Sequence, residues 1–220
     1  MTTSSDLLAL LLTDTRLPVA GHTQSGTLEG AVMAGLGVAD VPGYLVARLS
    51  GVTQVEAGTA VVARAVVTSQ GPLAAVERAW AARTVSPALR AASRVQGQAL
   101  LRLAGRLWPE VPELVDPVER PSRAVVLGAL GAHLGLTAAH VARQVAYDDV
   151  QTVCAAALKL LPLDPAQVTG WVVDAMPAMA ATADAVTGLT DPAHIPSVAV
   201  PQIEAWAQAH ARTTRRLFRA

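Results

Sequence analysis

Aromatic residues make up only 3% of this 220-residue chain, and cysteine and phenylalanine occur once each, as Cys154 and Phe218. A single cysteine excludes an internal disulfide framework and fits a reducing, cytoplasmic setting, with the thiol expected as a small buried hydrophobe. So few rings leave the core to Ala, Leu and Val, within a hydrophobic fraction of 52%. Such small side chains suit closely packed helices, and alanine is the strongest helix former. An excess of either charge is also lacking. The 17 basic and 17 acidic residues cancel, which argues against nucleic acid or an anionic membrane as the main partner. No apolar run reaches the ~20 residues that a membrane-spanning helix needs. The longest, 124–136, contains His133, and Arg64 and Lys159 interrupt the others. MTTSSD lacks a basic stretch before LLALLL, and that apolar run is too short for export. The surplus of apolar residues is therefore expected to be buried, partly between chains.

Chemical motifs are as scarce. Neither GxxxxGK[ST] nor GxGxxG occurs, so no phosphate-cradling loop is expected. His22, His133, His140, His194 and His210 form no HxH, HExxH or His/Cys pair, which leaves no strong metal-ligand signature. GHTQSG is not the GxSxG elbow and no strand precedes it, so His22, Ser25 and Glu29 make a poor nucleophile set. No catalytic residue, resident metal or cofactor is assigned.

The signals that do occur are helical. The length fits one domain that buries roughly 70% of its unfolded surface. Ser5 or Asp6 caps a first helix over 7–12, and a second covers 28–36 and ends at Gly37. YLVARLSGV restarts a helix after Pro42. AVVARAVVT reads as another, with Val61, Val62, Val66 and Val67 admitting a short strand pair as the rival. LAAVERAWAART is amphipathic, with Leu73, Val76 and Trp80 on one face. Ser86–Pro87 opens a helix over 88–107, Ser122 opens one that reaches Gly135, and Thr137 caps one over 138–161. Asp164–Pro165 starts a helix to Gly188 with a kink expected at Pro177, and the last begins at Gln202. Pro109, Pro112, Pro117 and Pro121 leave a loop over 108–121, either a mobile element or a partner-contacting arm. The expectation is an all-α, single-domain bundle of about nine or ten helices over 1–220, with a C-terminal tail at 211–220.

One irregular polar stretch stands out, LPVAGHTQSGTLE at 17–29, where Gly21 and Gly26 open backbone conformations closed to other residues. Lys159 is the only lysine; it either snorkels from a buried helix or faces an acidic partner or an interior channel. Tyr147, Asp148 and Asp149 read as a solvated helix face, the alternative being an acidic patch for a partner. At the tail, Arg212, Arg215, Arg216 and Arg219 surround Leu217 and Phe218. That grouping suits an interface anchor more than a core piece.

Taken together these stretches resemble the urease accessory protein UreF family. The opening segment is similar to the family signature at Leu17, Pro18, Val19, Ser25, Leu28 and Glu29. SRVQGQALLRLA at 93–104, LGALGAHLGL leading to AALKLLPLD, and the closing RLFRA follow in the family's order. The departures are HTQ at His22, Thr23 and Gln24, where the family carries aromatics, and Gly26–Thr27 before Leu28. The resemblance implies a non-enzymatic chaperone subunit for nickel insertion into apo-urease, usually a homodimer. Such a subunit binds UreD (UreH in some systems) and the GTPase UreG, and regulation of that GTPase and a route for nickel are proposed for the family. On this basis His22, Gln24, Ser25, Glu29, Lys159, Arg215, Arg216, Leu217, Phe218 and Arg219 are expected at partner surfaces. A small-ligand-binding helical regulatory domain is the alternative.

Overall fold

The computed structural model describes 1–220 except Met1, Thr15, Arg16, Ala20, Pro117, Arg215, Arg219 and Ala220. For Thr2, Thr3, Ser4 and His22 it describes the backbone alone. The chain is all-α, and the described residues contain no strand. The helices are α1 (Thr2–Leu12), α2 (Leu28–Met33), α3 (Val41–Ser50), α4 (Val52–Thr68), α5 (Ala74–Arg83), α6 (Pro87–Leu107), α7 (Val111–Val115), α8 (Arg123–His133), α9 (Ala138–Leu160), α10 (Pro165–Val186) and α11 (Pro201–Ala211). Single 3₁₀ turns at Gly21–Thr23, Val38–Asp40 and Pro192–His194 link them. No helix among the described residues is long and apolar enough to cross a membrane.

The sequence sets several boundaries by local chemistry. Ser86, Ser122 and Thr137 accept the backbone N–H of Leu89, Val125 and His140, and Asp164 accepts that of Ala166. Each bond satisfies a donor that the first helical turn leaves unpaired. Pro87 and Pro165 follow their caps directly, where a missing N–H costs nothing.

Other boundaries differ from expectation. Helix α1 begins at Thr2, not after Ser5 or Asp6. Gly51, at φ −123° and ψ −101°, breaks the chain sharply, and α4 then runs unbroken from Val52 to Thr68. Val61 and Val62 are therefore buried helix, because their side chains fill an interhelical core where no strand partner exists. Helix α2 stops at Met33, and Gly35, at φ 102°, turns the chain before Gly37. Within the proline-rich stretch, α7 buries Val111 and Val115 against the core.

Two apolar clusters share α9. The first gathers α4 and α8 with Trp80, Leu100, Val111 and the N-terminal half of α9. The second gathers α2, α3, α10, α11 and the C-terminal half of α9, and Phe218 belongs to it. In the first cluster, α4 and α8 lie almost backbone to backbone. A Cβ added at Gly128 would stand 2.3 Å from the Ala60 carbonyl oxygen and 2.6 Å from the Ala63 methyl. Only glycine permits that approach.

Candidate functional site

The opening segment is built around a left-handed pair. Gly26 has φ 57° and Thr27 φ 67°. For a β-branched residue this conformation is strained, at about 1–2 kcal/mol. The pair turns the chain so that α2 starts at Leu28. Tyr44 donates to the Gly26 carbonyl at 2.6 Å and Arg48 Nη1 donates to the same oxygen at 2.8 Å, so α3 clamps the turn. Behind it Val153 of α9 lies 2.7 Å from where a Cβ of residue 26 would sit.

Arg48 is itself held by Asp149. Its Nε donates to Oδ2 at 2.9 Å and its Nη2 to Oδ1 at 2.5 Å, a two-pronged pair that Thr53 completes by donating to Oδ2 at 2.7 Å. Burial pushes the Asp149 carboxyl up, but the Arg48 guanidinium and the Thr53 hydroxyl outweigh it and hold it below the usual carboxylate range. Burial likewise pushes the Tyr44 phenol up to about 12. The expected solvated face at Tyr147–Asp148–Asp149 is corrected here. Asp149 is half-buried and held by Arg48, Asp148 pairs with Arg123 at 3.0 Å, and Tyr147 accepts a bond from Gln151 at 2.9 Å. Bringing α3 and α8 against α9 supplies those cations.

Nearby, Glu56 accepts from Trp80 Nε1 at 2.6 Å and, through its second oxygen, from Ser93 at 3.5 Å. Burial raises its pKa. It lines a polar cavity of about 90 Å³ together with Gln24, Thr53 and Asp149.

Glu29 joins this segment to the tail. Its Oε1 accepts from Leu217 N at 2.6 Å, and its Oε2 accepts from Phe218 N at 2.8 Å and lies 2.8 Å from His210 Nε2. Burial would raise the carboxyl, but the two backbone donors and His210 prevail and leave it below the ordinary range. Ser25 is fully buried and accepts the Glu29 backbone N–H at 3.3 Å. Helix α2 meets α11 so tightly that a Cβ at Gly30 would lie 2.8 Å from the Trp206 carbonyl oxygen.

The residues singled out in the sequence therefore fall into three groups. Gln24, Ser25 and Glu29 are buried and shape the segment from inside. Phe218 is 4% exposed and packs in the second apolar cluster, so in this conformation it is a core piece and not a free anchor. The second cluster accommodates its ring, and Glu29 fixes its backbone. Lys159 is exposed, with Nζ 5.3 Å from the centre of the Phe218 ring, a cation–π contact with its own chain. Arg216 is exposed and Leu217 is 64% exposed. Arg215, Arg219 and the His22 side chain lie outside the described residues. Sequence reasoning missed Tyr44 and Arg48 and did not link Asp149 or His210 to a partner within the chain. An arginine inside the apolar run YLVARL was the one hint of a buried pair.

Fold and site together define a helical protein whose most elaborate polar construction ties the segment after its first helix to its C-terminal tail. The UreF family model matches residues 37–176. Over 99% of both chains, the protein is 37% identical to a urease accessory protein UreF of Mycobacterium sp. (strain JLS). It is 39% identical to that of Mycolicibacterium vanbaalenii over 98% of this chain and 99% of the relative. It is 38% identical to that of Mycobacterium marinum over 96% and 98%. The chain belongs to the UreF family of urease accessory proteins.

Proposed function

We propose that this chain is a chaperone subunit of urease maturation that acts in nickel insertion into apo-urease. In this reading it works as a homodimer in the cytoplasm, binds UreD (UreH), and recruits the GTPase UreG, whose GTP hydrolysis it modulates. Nickel is cargo and the chain itself performs no catalysis.

The docking surface is the opening segment with the tail. The observation that carries this is the Glu29 carboxylate, which binds the main chain of Leu217 and Phe218. The two stretches most similar to the family signature thereby become neighbours. Leu217 and Arg216 touch the partner, with Arg215, Arg219 and His22 as further contacts and Lys159 at the rim. Gln24, Ser25 and Glu29 act by shape, and Phe218 roots the tail.

The test is co-purification of the chain with UreD and UreG in the presence of nickel and GTP. Recovery of the three-protein complex is expected; a chain that binds neither ends the reading. Deleting 217–220 is expected to abolish the complex while the helical content stays unchanged. An intact complex would remove the tail from the surface.

A further inference from the structure

Helix α10 is apolar on both sides. Val168, Trp171, Val172, Ala175 and Met179 are buried in the second cluster. On the opposite side Val173, Met176, Pro177 and Ala180 follow one another at i, i+3, i+4 and i+7, and all four are exposed. Val173 is 54% exposed and Met176 50%. The neighbouring α3, tied to α10 where Thr182 Oγ1 donates to the Leu49 carbonyl at 3.2 Å, leaves Val46 52% exposed. A helix apolar all round is normally enclosed, and an apolar patch on a surface usually marks an interaction.

Charge and backbone geometry define what would enclose it. No lysine or arginine occurs between Lys159 and Arg212, whereas Asp164, Asp174, Asp184 and Asp191 are all exposed. Asp174 flanks the apolar stripe, and Asp184 follows Ala180 by one turn. The single charged residue of α3, Arg48, is 5% exposed and bound to Asp149. Pro177 has no N–H for the Val173 carbonyl, so the middle of the stripe also carries an acceptor without its helical donor. Carboxylates and a spare carbonyl around apolar side chains match lysine or arginine around apolar side chains. A second copy fits less well. Two-fold pairing of α10 with itself would set aspartates against aspartates. Packing α10 on the arginine-bearing α6 of the next copy would give an open chain.

We propose that the outer face of α10, with α3 beside it, docks an amphipathic helix of a partner protein, apolar along its centre and edged with lysine or arginine. Val173 and Met176 supply the apolar centre, Asp174 and Asp184 meet the cationic edges, and the Val173 carbonyl accepts from one of them. The face shares no residue with the opening segment or the tail, and the proposal does not depend on the adaptor role.

The test uses the full ¹⁵N-labelled chain and a synthetic amphipathic peptide of leucine and lysine, with its leucine–glutamate counterpart for comparison. The lysine peptide is expected to give saturable NMR shifts on α10 and α3, and the glutamate peptide to bind at least about tenfold more weakly. Val173→Ser combined with Met176→Ser is expected to weaken the lysine peptide about tenfold. Asp174→Asn combined with Asp184→Asn should weaken it about threefold and remove most of its salt dependence. These side chains are exposed, so the variants are expected to fold. Equal binding of the two peptides, shifts confined to other surfaces such as the leucines of α1, or affinity unchanged in either variant would each overturn the proposal. So would self-association that Val173→Ser with Met176→Ser abolishes, because a second copy would then own the face. Should the variants fail to fold, the peptide comparison and the position of the shifts on the unaltered chain decide.

Discussion

Where α4 meets α8, alanines and a glycine bring two backbones nearly into contact. Where the opening segment meets the tail, one carboxylate holds backbone groups 188 and 189 residues further along the chain. The first contact is apolar, continuous and tolerant of no added volume. The second is polar, concentrated in a few atoms and backed by the ion pair of the buried Arg48 with Asp149. Dispersion and hydrophobic burial, spread over many atoms, hold the bundle. A few charge-assisted hydrogen bonds aim the surface that we propose meets its partners.

Asp149→Ala separates the two regions most sharply. It leaves Arg48 buried without its counter-charge, and breaking such a pair costs about 3–5 kcal/mol. Urea unfolding should show that loss, with the turn at Gly26 and Thr27 disordered first. A drop below about 1 kcal/mol would mean that the pair is incidental. Gly128→Val attacks the other region. Overpacking there is expected to cost about 3 kcal/mol, measured in the same way, with the tail still docked on Glu29 in the fraction that stays folded.

Glu29→Gln is expected to cost about 2 kcal/mol, the scale of a hydrogen bond to a charged group. It acts locally: amide exchange at Leu217 and Phe218 should accelerate while α4 and α8 keep their protection. The same junction should respond to acid. Because the Glu29 pKa is lowered in the folded state, its contribution is present in full above the ordinary glutamate value of about 4.3. That contribution fades as pH falls through the depressed value. The protection of the tail amides should therefore fall only below the ordinary glutamate range in the natural chain and lose that step in Glu29→Gln. Thr27→Gly is the smallest change, a gain of under about 1 kcal/mol in thermal unfolding. Relief of the left-handed strain exceeds the extra freedom glycine gives the unfolded chain. Glycine is thus irreplaceable at 128 and favoured at 27.

Much of the bundle was legible in advance because its causes are local. Ser86, Ser122, Thr137 and Asp164 declare helix starts by capping their own following residues. The opening segment stood out for its two glycines and its crowd of polar groups. Its architecture did not. Arg48 and Asp149 are 101 residues apart, and no spacing rule links them. His210 carried no metal-ligand pattern in the sequence, and only α11 brings it 2.8 Å from Glu29. Phe218 read as exposed because arginines surround it in sequence, but sequence neighbours do not decide burial at a chain end that folds back.

By itself the sequence determined an all-α chain, the caps of its main helices and the two stretches that carry the family resemblance. Each of those follows from residues within a turn or two of one another. Only the tertiary structure decided that the stretches touch, that Glu29 is the latch and that Asp148 and Asp149 pair with Arg123 and Arg48. Those facts depend on which helices pack together, and packing is fixed by the summed burial of the whole chain.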